Sequence, residues 1–67
     1  MEFELKDEFI TLAQLLKACD IVYSGGQAKE YLAYEEVLVN GESENRRGKK
    51  IRRGDVVETN GIRIDVK

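Results

Sequence analysis

The chain has 67 residues, 42% of them hydrophobic, and 11 Lys and Arg against 13 Asp and Glu give it a formal net charge of -2. That is enough for one small domain over residues 1–67 with a thin two-layer core, too little for a second domain or a deep pocket, so large partners must be met on the surface. One cysteine and no histidine exclude an internal disulfide, a Cys/His zinc site and a histidine-based triad, and no spacing present implies another metal or cofactor.

The opening EFEL alternates, with Phe3 and Leu5 on one side, and predicts a short strand at a sheet edge. No stretch approaches the roughly 18 apolar residues that cross a bilayer, and the acidic start MEFELKDE lacks the basic, then apolar, pattern of a signal peptide, so a cytoplasmic protein without membrane partners is expected. Thr11 and Gln14 have capping-box spacing, with Ile10 and Leu15 placed as a hydrophobic staple. Leu12, Leu15, Leu16 and Cys19 then repeat at helical spacing and predict a helix from about Leu12 to Ala18.

Ser24 and Gln27 repeat the capping-box spacing, and Ala28, Tyr31 and Leu32 form a second apolar stripe. Gly25 and Gly26 fall in the first turn of this second helix. There the absence of side chains leaves backbone N–H groups open to an anion, with Lys29 one turn on. A flexible inter-helix turn is the competing reading. Val37 to Val39 reads as a strand closed by the turn pair Asn40-Gly41. Val56 to Thr59, Asn60-Gly61 and the alternating Ile62, Ile64 and Val66 predict a C-terminal hairpin over 56–66. The order of elements implies an α+β domain, two short helices packed on a small, mostly antiparallel twisted sheet.

Between these strands lies RRGKKIRR, Arg46 to Arg53, in which six of eight residues are cationic and none acidic. Without those six charges the rest of the chain would carry -8. Such polarity marks either a phosphate-binding footprint, since neutralising phosphates releases condensed counterions, or a solvated mobile loop. Recognition by splayed bases usually needs aromatic platforms, and of the five aromatics Phe3, Phe9 and Tyr31 fall on apolar faces as packing residues, with Tyr23 and Tyr34 flanking the second helix. For such a footprint, contact through the phosphate backbone is therefore favoured over base stacking.

Three segments carry a family resemblance over Ile10 to Val57: SGGQAKEYL at Ser24 to Leu32, VLVNGE at Val37 to Glu42 and RRGKKIRRGDVV at Arg46 to Val57. They resemble the small-residue helix start, the V-x-VNG turn and the late Gly-Asp turn of the αL RNA-binding domain. That domain was first described in ribosomal small-subunit protein four, and the nearest likeness is to the stand-alone YaaA-like bacterial proteins. The resemblance implies the αL RNA-binding fold and RNA contact by Ser24, Gly25, Gly26, Gln27 and Lys29 at the second helix. Asn40, Arg46, Arg47, Lys49, Lys50, Arg52 and Arg53 would flank it from the strand side. Many relatives begin their helices with Arg-Leu-Asp and Ser-Arg, where this chain has Thr11-Leu12-Ala13 and Ser24-Gly25, which shifts the charge burden to the basic run.

The remaining constellations point to ordinary roles. Glu35 and Glu36 are adjacent carboxylates without a partner base and read as a solvated helix end, Cys19 as a thiol on an apolar stripe, and Asp55 as a turn former. The expected function is non-catalytic binding of structured RNA, ribosomal, transfer or ribosome-associated, possible partners thus including the ribosome, and no small-molecule substrate. The alternatives are a DNA-binding helix-turn-helix protein, whose second helix would offer only Gln27 and Lys29 as base readers, and a small protein-interaction adaptor.

Overall fold

The computed structural model describes residues 1–67. Strand β1 (Glu2–Phe3) and β2 (Ile10–Thr11) precede helices α1 (Leu12–Ala18) and α2 (Gly25–Tyr34), and β3 (Val37–Val39), β4 (Glu42–Ser43), β5 (Lys50–Ile51), β6 (Val56–Thr59) and β7 (Ile62–Val66) follow. The main sheet runs in the order β1-β7-β6-β3-β4, antiparallel except for the parallel β1–β7 pair. A second ladder, absent from the sequence-based expectation, pairs β2 with β5.

Both expected helix starts form, in different ways. At α1 the capping box is complete: Gln14 N–H donates to Thr11 Oγ1 at 3.2 Å, and Thr11 N–H donates to Gln14 Oε1 at 3.0 Å. At α2 the Ser24 hydroxyl accepts from Gln27 N–H at 3.1 Å, but Gln27 Oε1 passes over Ser24 and accepts from Tyr23 N–H at 2.7 Å. The second box is therefore open, and Gln27 fixes the chain one residue earlier.

The helix end at Cys19 uses a signal that composition hides. Asp20 adopts φ +59°, Ile21 N–H donates to Leu16 O at 2.9 Å and Asp20 N–H to Lys17 O at 3.1 Å. This is the Schellman arrangement, with aspartate in the left-handed position usually held by glycine. Asn40-Gly41 and Asn60-Gly61 close their hairpins with positive φ at both central residues, the two-residue turn that matches strand twist.

Alternation decides what each strand buries. Val37, Val39, Val57, Ile64 and Val66 face the helices, where they meet Leu12, Leu15, Leu16, Ala28 and Leu32. Thr59 is the one buried polar residue, and its hydroxyl donates to Glu36 O at 2.9 Å while Tyr31 Oη donates to it at 2.7 Å. Phe3 and Tyr31 pack against this core as expected. Phe9 does not: it is 36% exposed and outside the cluster, because the chain turns into the β2–β5 ladder just after it.

Ile51 brings the basic run into the fold. It is fully buried in the centre of a segment that is otherwise almost wholly charged. Ile51→Ala should cost roughly 2–5 kcal/mol of unfolding free energy in urea, a large share of what so small a domain can hold. A loss under about 1 kcal/mol would show that the segment is not anchored through this side chain.

Candidate nucleic-acid interface

The basic run is tied into the fold, because its carbonyls serve the start of α1. A helix start leaves N–H groups without partners. Leu12 N–H donates to Lys49 O at 2.8 Å and Ala13 N–H to Arg47 O at 3.0 Å, while Gln14 N–H goes to Thr11. Ile10 pairs with Ile51 and Thr11 with Lys50 along the ladder. The backbone of the run is thus structural, with Ile51 buried, Lys49 half-buried and the remaining cationic side chains exposed.

Those side chains do not share one environment. Glu44 accepts from Arg46 through its backbone N–H, Nε and Nη2, each at 3.0 Å. Hydrogen bonds from the Arg46 side chain, then its backbone N–H, and the charges of Arg46 and Lys49 hold the Glu44 carboxyl at about 2. Arg53 donates from Nη2 to Leu5 O at 2.6 Å and so ties down the segment that follows β1. The other ion pairs, Arg63–Asp65 and Lys67–Glu2, lie elsewhere, leaving Arg47, Lys49, Lys50 and Arg52 unpaired. Lys50 Nζ and Arg52 Cζ lie 4.9 Å and 5.9 Å from the centroid of the Phe9 ring.

Asn40 is held by the fold. Its Oδ1 accepts from Val56 N–H at 2.8 Å and its Nδ2 donates to Asp55 Oδ1 at 3.0 Å, while Asp55 Oδ2 accepts from Arg52 N–H at 2.8 Å. This clamp fastens the β3–β4 turn to the Gly54 bend and gives Asp55 its expected turn-forming role. Beside it runs an open groove of about 540 Å³ lined by Lys49, Lys50, Arg52 and Arg53 together with Glu42, Glu44 and Asp55. A shallower one of about 400 Å³ is lined by Arg46, Gly48, Lys49, Lys50 and Arg52 alone.

Ser24, Gly25, Gly26, Gln27 and Lys29 line neither groove. At this second location the N–H groups of Gly25 and Gly26 donate to no protein acceptor. A Cβ on Gly25 would meet nothing within 4 Å, and one on Gly26 only Ser24 Oγ at 4.0 Å. Internal packing therefore does not require glycine at either position. The residue that sequence reasoning missed is Phe9, whose exposure follows from a two-residue ladder too short to give a periodic signal.

At the opposite end of β3 and β6 carboxylates outnumber cations, with Glu35, Glu36 and Glu58 and a single Arg63 around an open hollow of about 430 Å³. No group of three or more His, Cys, Asp or Glu side chains is placed to hold a metal ion. Burial, then the charge of Asp20, pushes the Cys19 thiol up, the opposite of what a nucleophilic thiolate requires. No helix is long and apolar enough to cross a membrane.

Comparison with known proteins places these features in context. The family model of the S4 domain matches residues 3–67. A Bacillus subtilis (strain 168) protein described as the probable ribosome maturation protein RlbA is 57% identical over 55 residues, which cover 82% of this chain and 78% of that protein.

The Glu44–Arg46 fork has a pH signature. Glu44 titrates near 2 in the folded chain against 4.5 for an ordinary glutamate, so its contribution to stability is complete above about pH 4.5 and is lost as the pH falls towards 2. Carbon-13 NMR of the Glu44 carboxyl should show that low midpoint, and Arg46→Ala should return it to the ordinary glutamate range. A wild-type midpoint above about 4 would refute the fork.

Proposed function

The chain belongs to the S4-domain family, and from that premise we propose that it is a non-catalytic module that binds structured RNA. One observation carries the reading: the fold uses the backbone of the basic run and leaves Arg47, Lys50 and Arg52 exposed and Lys49 half-buried, all four without an ion pair. Carbonyl anchoring fixes the backbone from which four cations extend, which suits a phosphate array of fixed shape. The similarity to RlbA, described as a probable ribosome maturation protein, favours ribosomal RNA or its precursors as the target.

Contacts divide between two places. Lys49, Lys50 and Arg52, which line the groove, supply most of the charge, and the exposed Arg47, which lines neither groove, adds to it. The open amides of Gly25 and Gly26, with Ser24, Gln27 and Lys29, offer a second phosphate contact at the start of α2. Arg46 is already neutralised by Glu44, Arg53 is bound to Leu5 O, and the Asn40 side chain is engaged by Val56 and Asp55, so these three serve the interface by shaping it. Four unpaired charges imply a log-log salt slope of about -3, where six would give about -4 to -5.

Titration of structured RNA, duplex DNA and single-stranded RNA across a salt series tests this. Structured RNA should bind tightest, and replacing Arg47, Lys49, Lys50 and Arg52 by Ala should flatten the slope by about 3 with little change in melting temperature. An unaltered slope in that variant sinks the assignment of the cations, and preference for duplex DNA sinks the RNA reading. Gly26→Glu has room to fold and places a carboxylate at the open amides. It should weaken RNA binding on the order of fivefold, as a like charge near a phosphate costs about 1 kcal/mol in water. Normal binding by that variant would remove α2 from the interface.

A further inference from the structure

The outer face of the β2–β5 ladder has a composition that phosphate binding alone does not explain. Ile10 pairs with Ile51 and Thr11 with Lys50, so Phe9 lies opposite Arg52 in the next step of the register. Successive side chains point to opposite faces of a strand. Ile51 is fully buried, hence Phe9, Thr11, Lys50 and Arg52 fall on the other, outward side. The result is a phenyl ring at the surface with two cations beside it.

We propose that this face is a stacking subsite for one unpaired nucleobase of the bound RNA. Resting on the RNA-binding reading above, the inference narrows the ligand to a structured RNA that presents an extruded or bulged nucleotide next to its phosphate array. The ring is 36% exposed and belongs to no core cluster, so part of its surface is left open to a ligand. Lys50 Nζ at 4.9 Å and Arg52 Cζ at 5.9 Å from its centroid lie over the ring in cation–π contact, so an incoming base takes that face as these long side chains swing aside towards its phosphate. A nucleotide carries its phosphate one sugar away from its base. Ring and cations at this separation therefore offer both contacts to a single nucleotide, the base on Phe9 and the phosphate on Lys50 or Arg52.

The chemistry also sets the selectivity. Stacking on a phenyl ring or a guanidinium plane accepts the π-face of any base, and is worth about 1–3 kcal/mol per base when measured by removing the aromatic. The subsite thus distinguishes a stacked-out base from a paired or missing one, and reads its identity weakly. Duplex RNA without an unpaired nucleotide would meet the cations alone.

Three RNA hairpins test the subsite: a fully paired stem, the same stem with a single-nucleotide bulge, and the bulged stem made abasic at that nucleotide. The wild-type chain should bind the bulged stem on the order of tenfold more tightly than the other two, and Phe9→Leu should lose that preference while keeping its affinity for the paired stem. The natural chain has no tryptophan, so Phe9→Trp makes a single reporter whose emission should be quenched by the bulged stem and not by the abasic one. Equal wild-type affinity for the bulged and abasic stems, or an undiminished preference in Phe9→Leu, overturns the subsite and leaves RNA binding standing. A wild-type chain that binds none of the three overturns both.

Discussion

The burial of Ile51 is the constraint from which the rest of the molecule follows. A segment with six cations among eight residues would ordinarily stay in water, and one apolar side chain in its middle draws it against the core. Once Ile51 is inside, the carbonyls of Arg47 and Lys49 reach the first amides of α1 and satisfy donors that the short helix could not satisfy alone. Helix start and basic run thereby stabilise each other. The cationic side chains project from a frame that cannot shift without uncapping α1.

That frame also sorts the charges. Glu44 neutralises Arg46 where the chain leaves β4, Leu5 O takes Arg53 at the other end, and the four cations between them have no partner. The net charge of the whole chain hides this arrangement, because the carboxylates of Glu35, Glu36 and Glu58 collect at the far end of the strands. An end-to-end polarity of this kind orients a polyanion before contact and repels it from the wrong face. The proposed interface is therefore defined by carboxylates as much as by cations.

Much of the fold was legible from local pattern. The limits of α1, β3 and β6, both Asn-Gly turns and the α+β class follow from apolar spacing and turn chemistry, and each recurs at the expected residues. The β2–β5 ladder was not legible, since two residues make no period and its register depends on a partner forty positions away. The same distance misplaced Phe9: beside Ile10 it looks apolar and internal, yet the alternation that sends Ile51 inward leaves Phe9 outside. Gln27 shows a smaller version of the effect, its capping-box spacing being correct and its acceptor serving Tyr23 instead of Ser24.

The sequence by itself determined that this is one small α+β domain with six of its eleven Lys and Arg in a single run, because composition, helical spacing and turn residues act over a few neighbours. It also carried the family, through SGGQAKEYL, VLVNGE and the Gly-Asp turn. Only the tertiary structure decided which cations are unpaired and that Phe9 is exposed alongside Tyr23 and Tyr34. Pairing depends on what lies within a few ångströms in space, and Arg53 meets Leu5 and Arg52 meets Phe9 across more than forty residues of chain.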